Sequence, residues 1–335
     1  MIKSKIVGVG YYLPDNVVSN KDLEECMDTS DEWIRERTGI KERRWIKEGS
    51  KLSTSLMGTY AAKDALSDAN MNKDDIDFIV FATLSPDYFF PGSGVLLQRN
   101  LKIKEIGALD VRNQCSGFLY ALSVADQYIK SGMYKNILVV GSEVHSGGLD
   151  KSAKGRGVSV IFGDGAGAVV LQANKTSSSG ILSTHLHSEG AYAEELAVIS
   201  PSTTHWIDKI IKDEKEDGSS YAPYMNGNFV FKNAVVRFEQ VIMEALNYNK
   251  LKKEDISLLI PHQANLRISQ FVQKRLGLSN DKVFNNIEKY GNTTAASVPI
   301  ALKEAILDDK LKSGDILCLA AFGSGFTWAS ALIKW

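Results

Sequence analysis

The chain has 335 residues, enough for two domains or one large one. Its composition, 44% hydrophobic and 24% charged, is that of a globular protein with ample material for a core. A net charge of −1 and a sequence pI of about 6.5 give no strongly basic surface for nucleic acid. Cys26, Cys115 and Cys318 are odd in number, far apart and free of CxxC spacing. That argues against a disulfide framework or a structural zinc site and fits a reducing cytosol. The N-terminal apolar run stops at Tyr11, Tyr12 and Pro14, short of a signal segment, and no run reaches membrane-spanning length. The expectation is a soluble, cytoplasmic protein with no metal and no membrane partner.

In chain order the pattern predicts a strand over Lys5–Val9 and helices around Asn20–Arg37 and Ser55–Ala69. A strand over Phe78–Thr83, a helix near Gly94–Leu101, a strand over Ile106–Asp110 and a helix over Ser116–Ser131 follow. Asn136–Gly141 reads as a strand, and a strand pair is expected about Gly163. Strands alternating with helices imply an α/β fold, with a mainly parallel sheet covered on both faces. Asn174-Lys-Thr-Ser-Ser-Ser-Gly180 breaks the pattern, dividing the chain into 1–172 and 173–335. The polar stretch 199–227, with its charge run Lys212–Asp217, reads as a surface loop over the second half.

The two halves echo each other. Asp64-Ala-Leu followed by Lys73-Asp-Asp-Ile matches Glu244-Ala-Leu followed by Lys253-Glu-Asp-Ile at an offset of 180 residues. Ile161-Phe-Gly-Asp-Gly-Ala-Gly resembles Ala321-Phe-Gly-Ser-Gly-Phe-Thr, a glycine-rich bend between apolar runs. Duplication explains both echoes in the same order.

Three polar residues stand at strand-to-helix junctions. Cys115 precedes an amphipathic helix whose Phe118, Leu119, Leu122, Ala125 and Tyr128 face a core. The helix dipole there would lower the thiol pKa; read alone, Cys115 is either a nucleophile or a small buried thiol. Cys26, mid-helix, and Cys318, in an apolar run, take the buried reading. His262 follows Ile260-Pro and opens a helix, as a capping or core histidine also would. Asn292, in Tyr290-Gly-Asn-Thr, suits a turn or helix cap equally well. Together they gather at the carboxyl edges of strands, where ligands bind, and Cys, His and Asn form a nucleophile constellation. A cysteine hydrolase would use the same three.

Over essentially its whole length the chain resembles the β-ketoacyl-acyl-carrier-protein synthase III family. The matching segments are Thr29-Ser-Asp-Glu-Trp-Ile with Arg37-Thr-Gly-Ile, the Cys115 segment, Arg156-Gly before Phe162-Gly-Asp-Gly-Ala-Gly-Ala, Pro261-His-Gln-Ala-Asn-Leu-Arg, Gly291-Asn-Thr and Phe322-Gly-Ser-Gly-Phe-Thr-Trp. The resemblance implies a thiolase fold: two duplicated βαβ-rich halves in five αβαβα layers, forming a homodimer. It implies that Cys115 takes an acyl group from acyl-CoA and passes it to a malonyl unit on acyl carrier protein, starting fatty-acid synthesis without a cofactor. His262 and Asn292 would stabilise the enolate left by decarboxylation, and the N–H groups of Cys115 and Ser324 would form the oxyanion hole. CoA contacts carry over to Trp33, Arg37, Arg156, Asn228 and Asn265. Lys232 and Arg267 would dock the acidic carrier protein, and Phe90 would lie near the acyl pocket and the dimer interface.

This sequence departs from the family pattern at Asn113-Gln114, where small residues are common, at Ser324 and Ala329, where glycines are usual, and in the longer stretch 199–227. Those departures leave room for a specialised relative with a longer, aromatic or dicarboxylic acyl donor. Gly163-Asp-Gly-Ala-Gly weakly suggests a dinucleotide-binding oxidoreductase, but the run after it reads as a strand rather than the helix that fingerprint requires. A non-enzymatic binding module would not need three convergent reactive side chains. His185-Leu-His187 reads as an alternating strand with no third metal ligand in sight.

Overall fold

The structure is a computed structural model that describes residues 2–175, 178–203 and 222–335. In chain order its strands and helices are β1 (Lys3–Tyr12), β2 (Val17–Ser19), α1 (Asn20–Glu24), α2 (Asp31–Thr38), β3 (Glu42–Arg44), α3 (Thr54–Asp68), β4 (Phe78–Ala82), α4 (Ser93–Leu101), β5 (Gly107–Val111) and α5 (Gly117–Lys130). Next come β6 (Asn136–Glu143), α6 (Arg156–Ser159), β7 (Gly165–Asn174), β8 (Gly180–Ser188), β9 (Leu196–Ala197), β10 (Tyr224–Met225) and α7 (Gly227–Tyr248). The chain ends with β11 (Leu258–Pro261), α8 (Leu266–Leu276), α9 (Ile287–Tyr290), α10 (Ser297–Leu307), β12 (Ile316–Gly323) and β13 (Thr327–Lys334).

Two mixed sheets organise these elements. The first runs β1-β7-β6-β4-β5, with only β7 reversed; the second runs β8-β13-β12-β11, with only β13 reversed. The second sheet thus repeats the first four strands of the first in order and direction. Phe78 and Leu258 open equivalent strands at the offset of 180 seen in the sequence, each after a short 3-10 turn at Lys73–Asp75 or Lys253–Asp255.

Five layers follow from what each helix can bury. α5 and α10 lie between the sheets and share one core with both, including Phe118, Leu122, Val298 and Leu302. α5 is therefore buried nearly all round rather than on one stripe; each Leu or Phe enclosed there contributes about 2 kcal/mol over an exposed position. α3 and α4 cover the outer face of the first sheet, and α7 and α8 that of the second. Glycine sets the spacing of α3: a Cβ on Gly8 or Gly10 of β1 would fall 2.2 Å from the backbone of Ala65. No described helix is long and apolar enough to cross a membrane.

Some local expectations need correction. The helix expected over Asn20–Arg37 is two helices, each with its own cap: Ser19 closes a capping box with Asp22, and Ser30 accepts from the Trp33 N–H. Cys26 falls past α1 and is exposed, not buried mid-helix, whereas Cys318 is buried in β12. There is no strand pair about Gly163. β6 ends at Glu143, and the chain makes an excursion before β7 starts at Gly165. The run before Gly163 instead uses its backbone in an isolated parallel bridge from Phe162 to Asn292. The charge run Lys212–Asp217 lies outside the described residues.

Candidate active site

Cys115 sits in a 3-10 turn, Gln114–Ser116, between β5 and α5, and is 7% exposed. Gln114 takes a left-handed conformation (φ 45°), which folds the chain sharply into the turn. Gly323, at the end of β12, presses against the nucleophile: a Cβ there would lie 2.6 Å from Cys115 Cβ and 3.1 Å from its sulfur. The backbone N–H groups of Cys115 and Ser324 both point at the sulfur. Thr327 Oγ1 donates to the Ser324 carbonyl at 3.0 Å and lies 2.7 Å from Ser116 Oγ, which ties the two turns together. Ser324 itself is anchored by its hydroxyl to the Leu196 carbonyl on β9.

The thiol pKa is raised, not lowered as a helix N-terminus alone would make it. Burial first, and the Glu143 carboxylate second, push Cys115 up to about 12, outweighing the two N–H groups. The full helix starts only at Gly117, so its dipole acts on a sulfur already stripped of water. At neutral pH the group is a thiol.

His262 follows β11, where its backbone N–H donates to Ala320 of β12 at 2.7 Å. Its Nδ1 lies 2.5 Å from Ser297 Oγ at the start of α10. Burial pulls the ring down to about 3, so the imidazole is neutral. A Ser297 hydroxyl that donates to Nδ1 would leave the ring proton on Nε2, a buried atom without a partner. Asn292 Oδ1 accepts from the Thr294 N–H at 2.8 Å, which fixes the amide and leaves Nδ2 donating no hydrogen bond among the described residues. The turn Thr294–Ala296 continues directly into Ser297 and packs against the Cys115 turn. One short segment thus joins all three side chains predicted from the sequence.

The other predicted residues lie farther out. Trp33, half-buried, has the Arg37 guanidinium 4.5 Å and that of Arg156 4.8 Å from its ring centre. Arg156 also donates to the Asp28 carbonyl. Asn265 caps α8 through the Arg267 N–H and donates to the Arg37 carbonyl at 2.8 Å, joining this cluster to the His262 loop. Asn228 is exposed in the first turn of α7. Lys232 and Arg267 are exposed, and Arg267 lies over Phe231 at 5.9 Å. Phe90 is 81% exposed on the segment before α4, so it lines no pocket within a single chain.

Two residues beside the site escaped the sequence argument. Glu143 and His145 stand at the carboxyl end of β6, both buried. Glu143 accepts from Thr83 Oγ1, the Leu84 and Ser85 N–H groups and Ser85 Oγ, yet burial still pushes it up to about 7. The signal was legible: polar residues closing the apolar run Ile137–Val140 at a strand's carboxyl end, the reasoning that picked Cys115. Elsewhere, Gly163-Asp-Gly-Ala-Gly opens strand β7, so it offers no helix N-terminus to a dinucleotide. His185 and His187 on β8 share Glu244 at 3.3 and 2.6 Å. Among the described residues no group of three or more His, Cys, Asp or Glu is arranged to hold a metal ion.

Comparison with known proteins gives the family and the fold. Residues 109–190 match the family pattern of 3-oxoacyl-(acyl-carrier-protein) synthase III, and residues 246–335 match that of its C-terminal part. A β-ketoacyl-(acyl-carrier-protein) synthase III from Yersinia pestis is 47% identical over 331 residues, covering 99% of each chain. The crystal structure of the 3-oxoacyl-(acyl-carrier-protein) synthase III from Aquifex aeolicus superposes with a TM-score of 0.90 at 44% identity, covering 99% of this chain and 100% of that one. The Thermus thermophilus enzyme of the same name gives 0.90 at 38% identity, covering 99% of both. These solved structures share the two-sheet, five-layer architecture. The chain belongs to the β-ketoacyl-(acyl-carrier-protein) synthase III family of acyltransferases, with the thiolase fold.

Proposed function

We propose that the chain performs the condensation that initiates fatty-acid synthesis, joining an acyl group from acyl-CoA to a malonyl unit on acyl carrier protein. The Cys115 sulfur attacks the acyl-CoA carbonyl, the bond to the CoA sulfur breaks, and CoA leaves with the thiol proton. This exchange of one thioester for another has no net proton demand, which suits a nucleophile held as a thiol. The N–H groups of Cys115 and Ser324 stabilise the oxyanion. The malonyl thioester then loses CO2, and its electron pair becomes an enolate whose oxygen takes hydrogen bonds from His262 Nε2–H and Asn292 Nδ2–H. The enolate carbon attacks acyl-Cys115, and the released sulfur takes a proton from water.

The observation that carries this reading is His262: a buried, neutral ring held at Nδ1 by Ser297, with an unpartnered Nε2, on the same short segment that fixes the Asn292 amide. A neutral donor pair suits an enolate, since neither group must shed a proton to act. Trp33, Arg37 and Arg156 would take the adenine and phosphate end of CoA, with Asn228 and Asn265 along the approach. Lys232 and Arg267 would dock the carrier protein. Two copies would pair along the open edge of β5, where Leu109 and the exposed Tyr88, Phe89 and Phe90 offer an apolar margin; Phe90 would border the acyl pocket there. The halves divide near residue 172, and the free thiols suit the cytoplasm.

Intact-protein mass spectrometry after exposure to a mixed acyl-CoA pool tests the proposal. A single acyl adduct on the wild type and none on Cys115→Ser is expected. Full acylation of Cys115→Ser at another residue would refute the assignment.

A further inference from the structure

His145 is buried just past β6, yet no step above uses it. Its Nε2 lies 2.8 Å from Thr294 Oγ1, and its ring packs against Phe162 with centroids 4.7 Å apart. Both contacts lead to Asn292. Thr294 gives its N–H to Asn292 Oδ1 at 2.8 Å. Phe162 bridges Asn292 through the backbone: the Asn292 N–H reaches the Ile161 carbonyl at 2.8 Å, and the Gly163 N–H reaches the Asn292 carbonyl at 3.1 Å.

Thr294 holds a left-handed backbone (φ 44°). For a β-branched residue that is a strained conformation, and it persists only where the surroundings enforce it. The surroundings here are its hydroxyl's partners, His145 on one side and the Glu143 carboxyl on the other. Burial holds His145 far below the usual imidazole range, at about 3, so its ring is neutral. His145 Nε2 and the Thr294 hydroxyl share one hydrogen bond, with the Glu143 carboxyl on the hydroxyl's other side. A neutral ring that donates from Nε2 leaves the hydroxyl proton for Glu143, and this network holds the turn that aims Asn292.

The geometry points to His145 as a positioning residue that fixes the Asn292 amide, through Thr294 and Phe162, for malonyl decarboxylation. The inference rests on the function proposed above. The full-length enzyme is assayed in two half-reactions: acylation of Cys115 by acyl-CoA, and decarboxylation of malonyl-acyl carrier protein without acyl donor. His145→Phe keeps the ring contact and removes the donor. It is expected to slow decarboxylation roughly 10-fold to 100-fold, as a displaced catalytic group does, while acylation stays within about 2-fold. His145→Gln, which restores an N–H donor, recovers most of the loss. In an Asn292→Ala background His145→Phe costs nothing further, because the two substitutions act through one group. Equal losses in both half-reactions, no loss, or an additive loss in the Asn292→Ala background would each overturn the inference. If His145→Phe does not fold, Thr294→Val carries the same readouts. A wild type that performs neither half-reaction would overturn the proposed function instead, and this inference with it.

Discussion

The Cys115 pocket and the His262–Asn292 pocket meet across the Thr294–Ala296 turn, yet burial works on them in opposite directions. It pushes the thiol up to about 12 and pulls the imidazole down to about 3. Both shifts favour the neutral form, and both pockets add neutral donors: two backbone N–H groups at the sulfur, a ring N–H and an amide on the other side. The surroundings thus favour a charge that appears only on a reacting oxygen over one resident in the free enzyme. Glu143, a buried carboxyl raised to about 7, stands close enough to disfavour the thiolate.

That contrast can be broken first on the decarboxylation side. Asn292→Ala should lower malonyl decarboxylation by roughly 100-fold or more, the usual loss for one preorganised donor, and leave acylation near the wild-type rate. Parallel assay of the two half-reactions checks this.

Glu143→Gln sharpens the other side with a smaller effect. In the wild type, acylation should climb with pH until Glu143 ionises near 7, then climb less steeply, because the new charge opposes the thiolate. With glutamine the climb continues, by up to about tenfold per pH unit, and the variant is the faster enzyme above pH 7. A pH–rate profile of acylation without a bend near 7 in the wild type would remove Glu143 from the account.

Stability carries the smallest signature. His145 and His262 are both lowered to about 3 in the folded state, against an ordinary imidazole value of 6.5. Folded, they bind fewer protons than unfolded, so their contribution is complete above 6.5 and is lost as pH falls toward 3. Each contributes a slope of about 1.4 kcal/mol per pH unit in that window. Glu143, raised from 4.5, opposes one of them between about 7 and 4.5: its stabilisation is full below 4.5 and lost as pH rises through 7. Denaturant unfolding should therefore show a shallow acid slope that steepens below about pH 4.5, and His145→Phe should flatten it by one proton.

Much of this was written in the sequence. Cys115 and His262 announced themselves because each stands where a strand gives way to a helix, and a parallel sheet brings such ends together; Asn292 was expected at a strand end too, but it follows the short helix α9 and is held by its backbone bridge to Phe162. The repeat at an offset of 180 pointed to two similar halves, and the second sheet does repeat the strand order of the first. The second echo, Ile161-Phe-Gly against Ala321-Phe-Gly at an offset of 160, misled at Gly163. In the second half β12 turns straight into β13 through Ser324–Phe326, so equivalence implied a hairpin in the first half too. The chain instead makes an excursion between Glu143 and Gly165, and that excursion carries His145, Arg156 and Phe162 to the site. The sign of the Cys115 shift was not legible, because a helix-dipole argument sees the sequence neighbours and not the burial of the sulfur or the Glu143 carboxylate near it. Cys26 was misjudged because caps at Ser19 and Ser30 split one apparent helix into two.

The division of labour between the two pockets is tested most directly on His262→Ala, by following acyl-adduct formation by mass and CO2 release from malonyl-acyl carrier protein in the same preparation. The account predicts an enzyme that acylates Cys115 at close to the wild-type rate and releases CO2 at least roughly 100-fold more slowly. An enzyme that still decarboxylates at the wild-type rate, or one that loses acylation in the same proportion, would contradict it.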